Sequence, residues 1–197
     1  MQHLIRQYSL EAGSLEIEYM EQYFGEFARP KTTAELLARL SGRDHLILIS
    51  LAPSLEDGDH LVPVAFKVGH ELRREESDPA VADLVARLRG CVSFERHRIF
   101  YSWLGGTRSQ WRGQGHYRAL TEQQEDWAQT RGYHEFAVKT KNRFYGMRAV
   151  LDRLQFNVVK FEPDTTDNTN SKLYLSKPIS ADLVRSHMTS RQVSHAG

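Results

Sequence analysis

The sequence predicts an α/β chain built on a mixed sheet, antiparallel at both flanks and parallel in the middle, with helices on both faces. Three observations predict it. The apolar runs His45-Leu-Ile-Leu-Ile-Ser-Leu51 and Leu61-Val-Pro-Val-Ala-Phe-Lys-Val68 flank a turn with Asp57-Gly58-Asp59, which reads as an antiparallel pair. The apolar stretch ending at Leu104 leads into a helical pattern lasting to Gly132, then into Phe136-Ala-Val-Lys-Thr140. That order of strand, helix and strand closes as a right-handed parallel crossover. Near the C-terminus, Phe156-Asn-Val-Val-Lys-Phe161 and Lys172-Leu-Tyr-Leu-Ser176 flank a polar loop and form a second hairpin.

Taken in order, His3 to Leu10 is a short mixed run that reads as a first strand. Ser14 offers an N-cap to a helix carrying Tyr19, Met20, Tyr23, Phe24 and Phe27, and Pro30 ends it. Thr32 or Thr33 caps a second helix with Leu36, Leu37 and Leu40, which stops near Gly42. Pro63 puts its position near an edge or a strand start. Pro79 suits the first turn of a helix whose Val81, Leu84, Val85 and Leu88 share one face, closed by Gly90. Val92 to Leu104 reads as a long strand interrupted by Glu95-Arg96-His97-Arg98. The next helix takes Tyr117, Leu120, Trp127 and Ala128 as its inner stripe and Glu122, Glu125, Asp126 and Gln129 as its outer face. Asn142 caps a last helix with Met147, Val150, Leu151 and Leu154.

At 197 residues the chain fits one domain over 1–178, followed over 179–197 by a short helix from Ala181 to Met188 and a mobile tail. A formal net charge of +1 gives no global field for nucleic acid or an acidic membrane, so neither is an expected partner. The single cysteine, Cys91, excludes an internal disulfide framework and a cysteine zinc site. Nine histidines are scattered without ligand spacing, so no metal is expected. Nothing resembles a signal peptide and no apolar run spans a bilayer, which leads to a cytoplasmic expectation.

The informative stretch is Arg108-Ser-Gln-Trp-Arg-Gly-Gln-Gly-His-Tyr-Arg-Ala-Leu120, where a strand gives way to a helix across Gly113 and Gly115. Glycine lets backbone approach a ligand closely. The first helical turn has N–H groups without internal partners, and the helix dipole adds positive character there. A phosphate or pyrophosphate is the natural guest. A Rossmann site needs a third glycine where Arg118 stands and an acid where Thr140-Lys141 stands. A Walker loop needs a lysine after its last glycine, and there is none.

Gly105-Gly-Thr-Arg-Ser-Gln-Trp-Arg-Gly-Gln-Gly-His-Tyr-Arg-Ala-Leu120 resembles the acetyl-CoA motif of the GNAT superfamily of N-acetyltransferases, Arg/Gln-x-x-Gly-x-Gly/Ala. Two registers fit. Gln110-x-x-Gly113-x-Gly115 matches throughout, whereas Arg112-x-x-Gly115-x-Tyr117 departs at its last position. The second is preferred, because it sets Ala119-Leu120 at the start of the helix's apolar stripe and Thr107 at the strand end. Asn142, the helix after it and Leu154-Gln-Phe156 resemble the family's second segment, with Gln155 in place of a usual glycine. The resemblance implies a GNAT-like acyl-CoA N-acyltransferase fold with splayed central parallel strands. It implies acetyl-CoA as co-substrate, its pantetheine amides pairing near Leu104, Gly105 and Thr107. The N–H groups of Gly113, Gln114, Gly115, His116 and Tyr117 would hold the pyrophosphate, with charge from Arg112 or Arg118. Asn142 joins this cofactor-binding set.

The tyrosine that protonates the departing thiolate in many members falls at Leu151 here, so that acid is not carried over. Transfer to an amine needs a proton acceptor, for which a carboxylate at a strand end is the usual device. Glu71, after the strand ending at Val68, is the candidate base, with Glu95 as the other carboxylate; Tyr145 is the substitute acid. Tyr101, Trp103, Trp111 and Cys91 read first as packing residues. The expected activity is acetyl transfer to an amine of a small molecule or peptide. The alternatives are a non-catalytic acyl-CoA sensor on the same fold and a nucleotide-binding protein. Glu16, Glu18, Glu21 and Glu26 lean towards a cationic acceptor, and the resemblance admits a homodimer formed through an edge strand.

Overall fold

The computed structural model describes residues 3–10, 32–56 and 58–180. The expected helix after Ser14, with its acidic residues, and the expected helix from Ala181 to Met188 lie outside the described residues. Seven strands, β1 (Leu4–Tyr8), β2 (His45–Pro53), β3 (Leu61–Leu72), β4 (Ile99–Thr107), β5 (Glu135–Lys141), β6 (Asn157–Glu162) and β7 (Lys172–Pro178), form a mixed sheet. Their order is β1-β2-β3-β4-β5-β7-β6. The described helices are α1 (Thr33–Leu40), α2 (Pro79–Leu88), α3 (His116–Thr130) and α4 (Tyr145–Arg153). The predicted mixed α/β architecture is the one observed. None of these helices is long and apolar enough to cross a membrane.

Backbone contacts gather the chain into two compact units, Met1–His70 with Leu104–Gln124, and Glu71–Trp103 with Glu125–Gly197. In the first, β2 pairs antiparallel with β1 from Leu4↔Leu51 to Tyr8↔Ile47, and on its other side with β3. The β2–β3 register shifts between Ser50 and Leu51. Thr32, not Thr33, caps α1: its hydroxyl accepts from the Glu35 N–H while the Glu35 carboxylate accepts from the Thr32 N–H. Leu36 and Leu40, one turn apart, are fully buried.

In the second unit β4 and β5 run parallel, paired from Ile99↔Glu135 to Ser102↔Val138. Beyond that ladder β4 continues to Thr107 and β5 to Lys141. β7 pairs antiparallel with β5 along its length, and β6 with β7. Because side chains alternate along a strand, Phe100 and Tyr101 enter different cores. Phe100 packs with Trp127, Tyr133 and Phe136, whereas Tyr101 joins Val81, Val85 and Leu88 of α2. The Asp78 carboxylate accepts from the Ala80 and Val81 N–H groups, and Pro79 sits first in α2, where a missing N–H costs nothing.

Three local expectations are corrected. The stretch from Val92 is not part of β4, which starts at Ile99; Glu95 to Arg98 are exposed, and four consecutive polar residues have no alternation with which to bury a strand face. Helix α4 starts at Tyr145 with Phe144 at the cap position, so Asn142 precedes the helix instead of capping it. Of the expected outer face of α3, Glu122 and Glu125 are buried, whereas Asp126 and Gln129 are partly exposed.

Candidate functional site

Strand β4 ends at Thr107, a single 3-10 turn covers Ser109–Trp111, and α3 begins at His116. Between them Gly113 and Gly115 have φ of 78° and 86°. That left-handed region costs an L side chain roughly 1–2 kcal/mol. Space distinguishes them: a Cβ at Gly113 would meet nothing, whereas one at Gly115 would lie 3.2 Å from His3 Nε2. The Gly115 carbonyl accepts from the Ala119 N–H at 3.0 Å and opens the helical ladder. Among the described residues, none accepts from the N–H groups of Gly113 to Arg118. A run of free donors at the start of a helix 15 residues long fits a diphosphate.

The turn is fastened to its own unit. The Arg108 N–H donates to Val64 O at 2.9 Å, its guanidinium reaches Pro63 O, and it stacks 4.8 Å from the Trp111 ring. Trp111 is buried, a packing residue as expected. Arg112 donates from Nε to Thr107 O at 3.1 Å and is exposed, which leaves charge at the mouth of the turn. Arg118 is engaged by Glu122 at 2.8 Å. Tyr117 turns inward: its ring lies 4.8 Å from Lys67 Nζ, and burial pushes its phenol well above the ordinary range. A Cβ at Gly105 would meet Lys67 Cγ at 3.0 Å and Tyr117 Cε2 at 3.4 Å. Glycine is thus what lets β4 lie against that pair.

His116 is the first residue of α3 and is only 4% exposed. Its Nδ1 is 2.9 Å from Ser50 Oγ on β2, and its ring centre is 4.5 Å from that of His3. Burial, with a smaller contribution from His3, lowers its pKa from 6.5 to about 4, so the imidazole is neutral at pH 7.

In the second unit, Glu71 lies within β3 and not after it, because the strand runs on to Leu72. Its carboxylate accepts from Arg73 Nε at 2.9 Å and Arg98 Nη2 at 3.4 Å. Glu95 is exposed, 3.8 Å from Arg74. Tyr145, 63% exposed, lines a pocket of about 330 Å³ with Arg148, Asp152, Phe156, Leu173 and Leu175. The Asn142 amide donates to Asn168 O and its oxygen accepts from Arg148, which ties the β5–α4 turn to the loop before β7. Tyr101 is buried and Trp103 packs against the same core. Cys91 is partly buried and unbridged.

No family model and no curated protein matches the chain by sequence. Solved structures do match it. Arabidopsis thaliana NAA60 in complex with acetyl-CoA superposes with a TM-score of 0.66 at 13% identity, over 90% of this chain and 99% of that one. The NatC complex bound to Gag peptide and CoA gives 0.64 at 13% identity, over 91% and 100%. The ribosomal-protein-S18-alanine N-acetyltransferase from Escherichia coli gives 0.56 at 16%, over 90% and 95%. The chain has the fold of the GNAT acetyltransferases.

On the GNAT fold the two motif registers can be weighed by backbone geometry. Both glycines of Gln110-x-x-Gly113-x-Gly115 adopt positive φ and α3 starts directly after them, whereas Tyr117 of the preferred register lies inside the helix. Gly115 belongs to both registers, and Tyr117 stands in the first turn of α3. Gln155, standing for the glycine of the second segment, has φ of 64°, alone among described non-glycine residues in a positive-φ conformation. Leu151, at the position of the family's acid, is fully buried. Sequence reasoning missed Ser50, Lys67 and His3, whose closeness to the turn is set by pairing of β1, β2 and β3. The one signal available was a polar residue, Ser50, inside an otherwise apolar strand.

Proposed function

We propose that the chain is an acetyl-CoA-dependent N-acetyltransferase acting in the cytoplasm on an amine of a small molecule or peptide. The observation that carries this is the run of N–H groups from Gly113 to Arg118 that have no acceptor among the described residues, opened by two positive-φ glycines at the start of α3. Acetyl-CoA, when bound, supplies a thioester whose acyl carbon is open to an amine nitrogen. Backbone groups of Leu104, Gly105 and Thr107 are assigned to the pantetheine amides. The N–H groups of Gly113, Gln114, Gly115, His116 and Tyr117 are assigned to the pyrophosphate, with the Arg112 guanidinium beside them. His116 offers its main chain only, since its ring is buried against Ser50. Asn142 braces the turn before α4. Glu71 is the candidate proton acceptor and Tyr145 the candidate donor; Glu71→Gln and Tyr145→Phe each lower kcat tenfold or more if they hold those roles. Peptide acceptors are supported by the NatC likeness, whose structure holds a Gag peptide.

Isothermal titration with acetyl-CoA tests the reading. Binding in the micromolar range is expected, and its absence sinks the proposal. The buried Leu151 favours a second reading, an acyl-CoA sensor without turnover. Thiol release over a panel of amines separates the two: turnover on any amine removes the sensor.

A further inference from the structure

We infer that His116 and Ser50 form a latch that presets the phosphate-binding turn, with His116 a positioning residue acting through its bond to Ser50. This rests on the cofactor reading above. Three observations in the first unit converge on the pair. The ring of the first residue of α3 is 4% exposed and bonded through Nδ1 to a hydroxyl 66 residues earlier in the chain. That hydroxyl belongs to Ser50, at the place where the β2–β3 register shifts. Such irregularities re-aim a side chain, so the shift has a local consequence. The third is Gly115, whose missing Cβ admits the His3 ring beside His116.

The latch has a mechanical meaning. The N–H groups of His116, Tyr117 and Arg118, without an acceptor among the described residues, belong to the turn that carries the His116 side chain. Tying that side chain to β2 fixes the donors' direction before ligand arrives, so less ordering is left for binding. Neutrality matters as well. An imidazolium here would stand beside a helix N-terminus and a second histidine, both unfavourable to it. The titratable groups around it are His3, just ahead of β1, and Glu122 on α3, the latter acting on His3. Asparagine places an amide where Nδ1 stands, so His116→Asn keeps the bond to Ser50 while removing the ring.

The test measures binding of CoA, and of pantetheine, which lacks the phosphates, to the full chain and to Ser50→Ala, His116→Ala and His116→Asn. Ser50→Ala and His116→Ala are expected to lose about tenfold in CoA affinity, the worth of one buried hydrogen bond. His116→Asn recovers most of that loss, and pantetheine affinity stays within about twofold throughout. If His116→Ala fails to fold, Ser50→Ala and His116→Asn carry the comparison. Equal losses for both ligands indicate general loosening and overturn the latch. Unchanged CoA affinity in Ser50→Ala overturns it too, while the cofactor reading survives. A wild-type chain that does not bind CoA removes both.

Discussion

The carboxylate of Glu125 on α3 and the ammonium of Lys177 on β7 meet at 2.9 and 3.0 Å with both side chains buried. Lys177 also lies 5.3 Å from the Phe156 ring centre. Two charges taken from water are held by each other, so removing one strands the other. Lys177→Met is expected to cost about 3–5 kcal/mol. For a chain of this size that lowers the melting midpoint by roughly 6–20 °C. Replacing both, Glu125→Leu with Lys177→Met, restores most of the midpoint, because an apolar pair of similar volume needs no desolvation. A single variant that melts like wild type would show that the pair stays solvated.

Gln155 offers the opposite sign. Its φ of 64° closes the C-terminal end of α4, where Phe156 N donates to Leu151 O and Gln155 N to Asp152 O. A side chain in that conformation is strained, and glycine is the usual occupant. Gln155→Gly relieves the strain but enlarges the freedom of the unfolded chain. The net expectation is a gain of about 0.5–1 kcal/mol, read as a midpoint higher by roughly 1–4 °C. A lower midpoint would mean that the Gln155 side chain holds a contact worth more than the strain.

Local pattern carried most of the fold. The runs around Leu46 to Ile49, Val64 to Val68 and Phe136 to Val138 show their burial in their own composition, and Pro79 marks a helix start by its own backbone chemistry. The Gly113 and Gly115 turn was legible because both glycines sit where backbone geometry demands them. What stayed hidden depends on distant partners. Glu125 reads as helix surface until Lys177, 52 residues on, is brought beside it. His116 reads as a polar first-turn residue until Ser50 arrives from β2. Asn142 has the right chemistry for a cap, but its side chain is drawn to Asn168 and Arg148, and α4 starts later, after Phe144.

The two turn glycines are expected to respond unequally. Both Gly113→Ala and Gly115→Ala pay the backbone penalty of roughly 1–2 kcal/mol. At Gly115 the new methyl also meets His3 Nε2 at 3.2 Å, so the His3 ring, packed on His116, must give by a few tenths of an ångström. Gly115→Ala should therefore lower the midpoint more and weaken CoA further, by about tenfold beyond Gly113→Ala. Titrating CoA into both variants checks this. Equal behaviour would place the cost in backbone conformation alone and leave the His3 contact without consequence.

His116 gives the fold a pH signature whose sign follows from its shift. Its pKa falls from 6.5 to about 4 because the buried ring resists charge. Between those values the unfolded chain holds a proton that the folded chain does not, so acid favours unfolding. The contribution of the neutral ring is fully present above pH 6.5, declines as pH falls towards 4, and levels off below. Asp83 is held below 3.8 chiefly by its bond from Arg87, and Glu162 below 4.5 by bonds from Arg87 and Tyr174 that outweigh its burial; their contributions fade from the acid end of this window downward and are common to both chains. Subtracting the His116→Asn melting curve from that of wild type isolates the histidine. The difference should be flat above pH 6.5 and slope through pH 6.5–4 in the direction that favours His116→Asn in acid. A difference independent of pH across that window would mean that the ring is solvated and titrates normally.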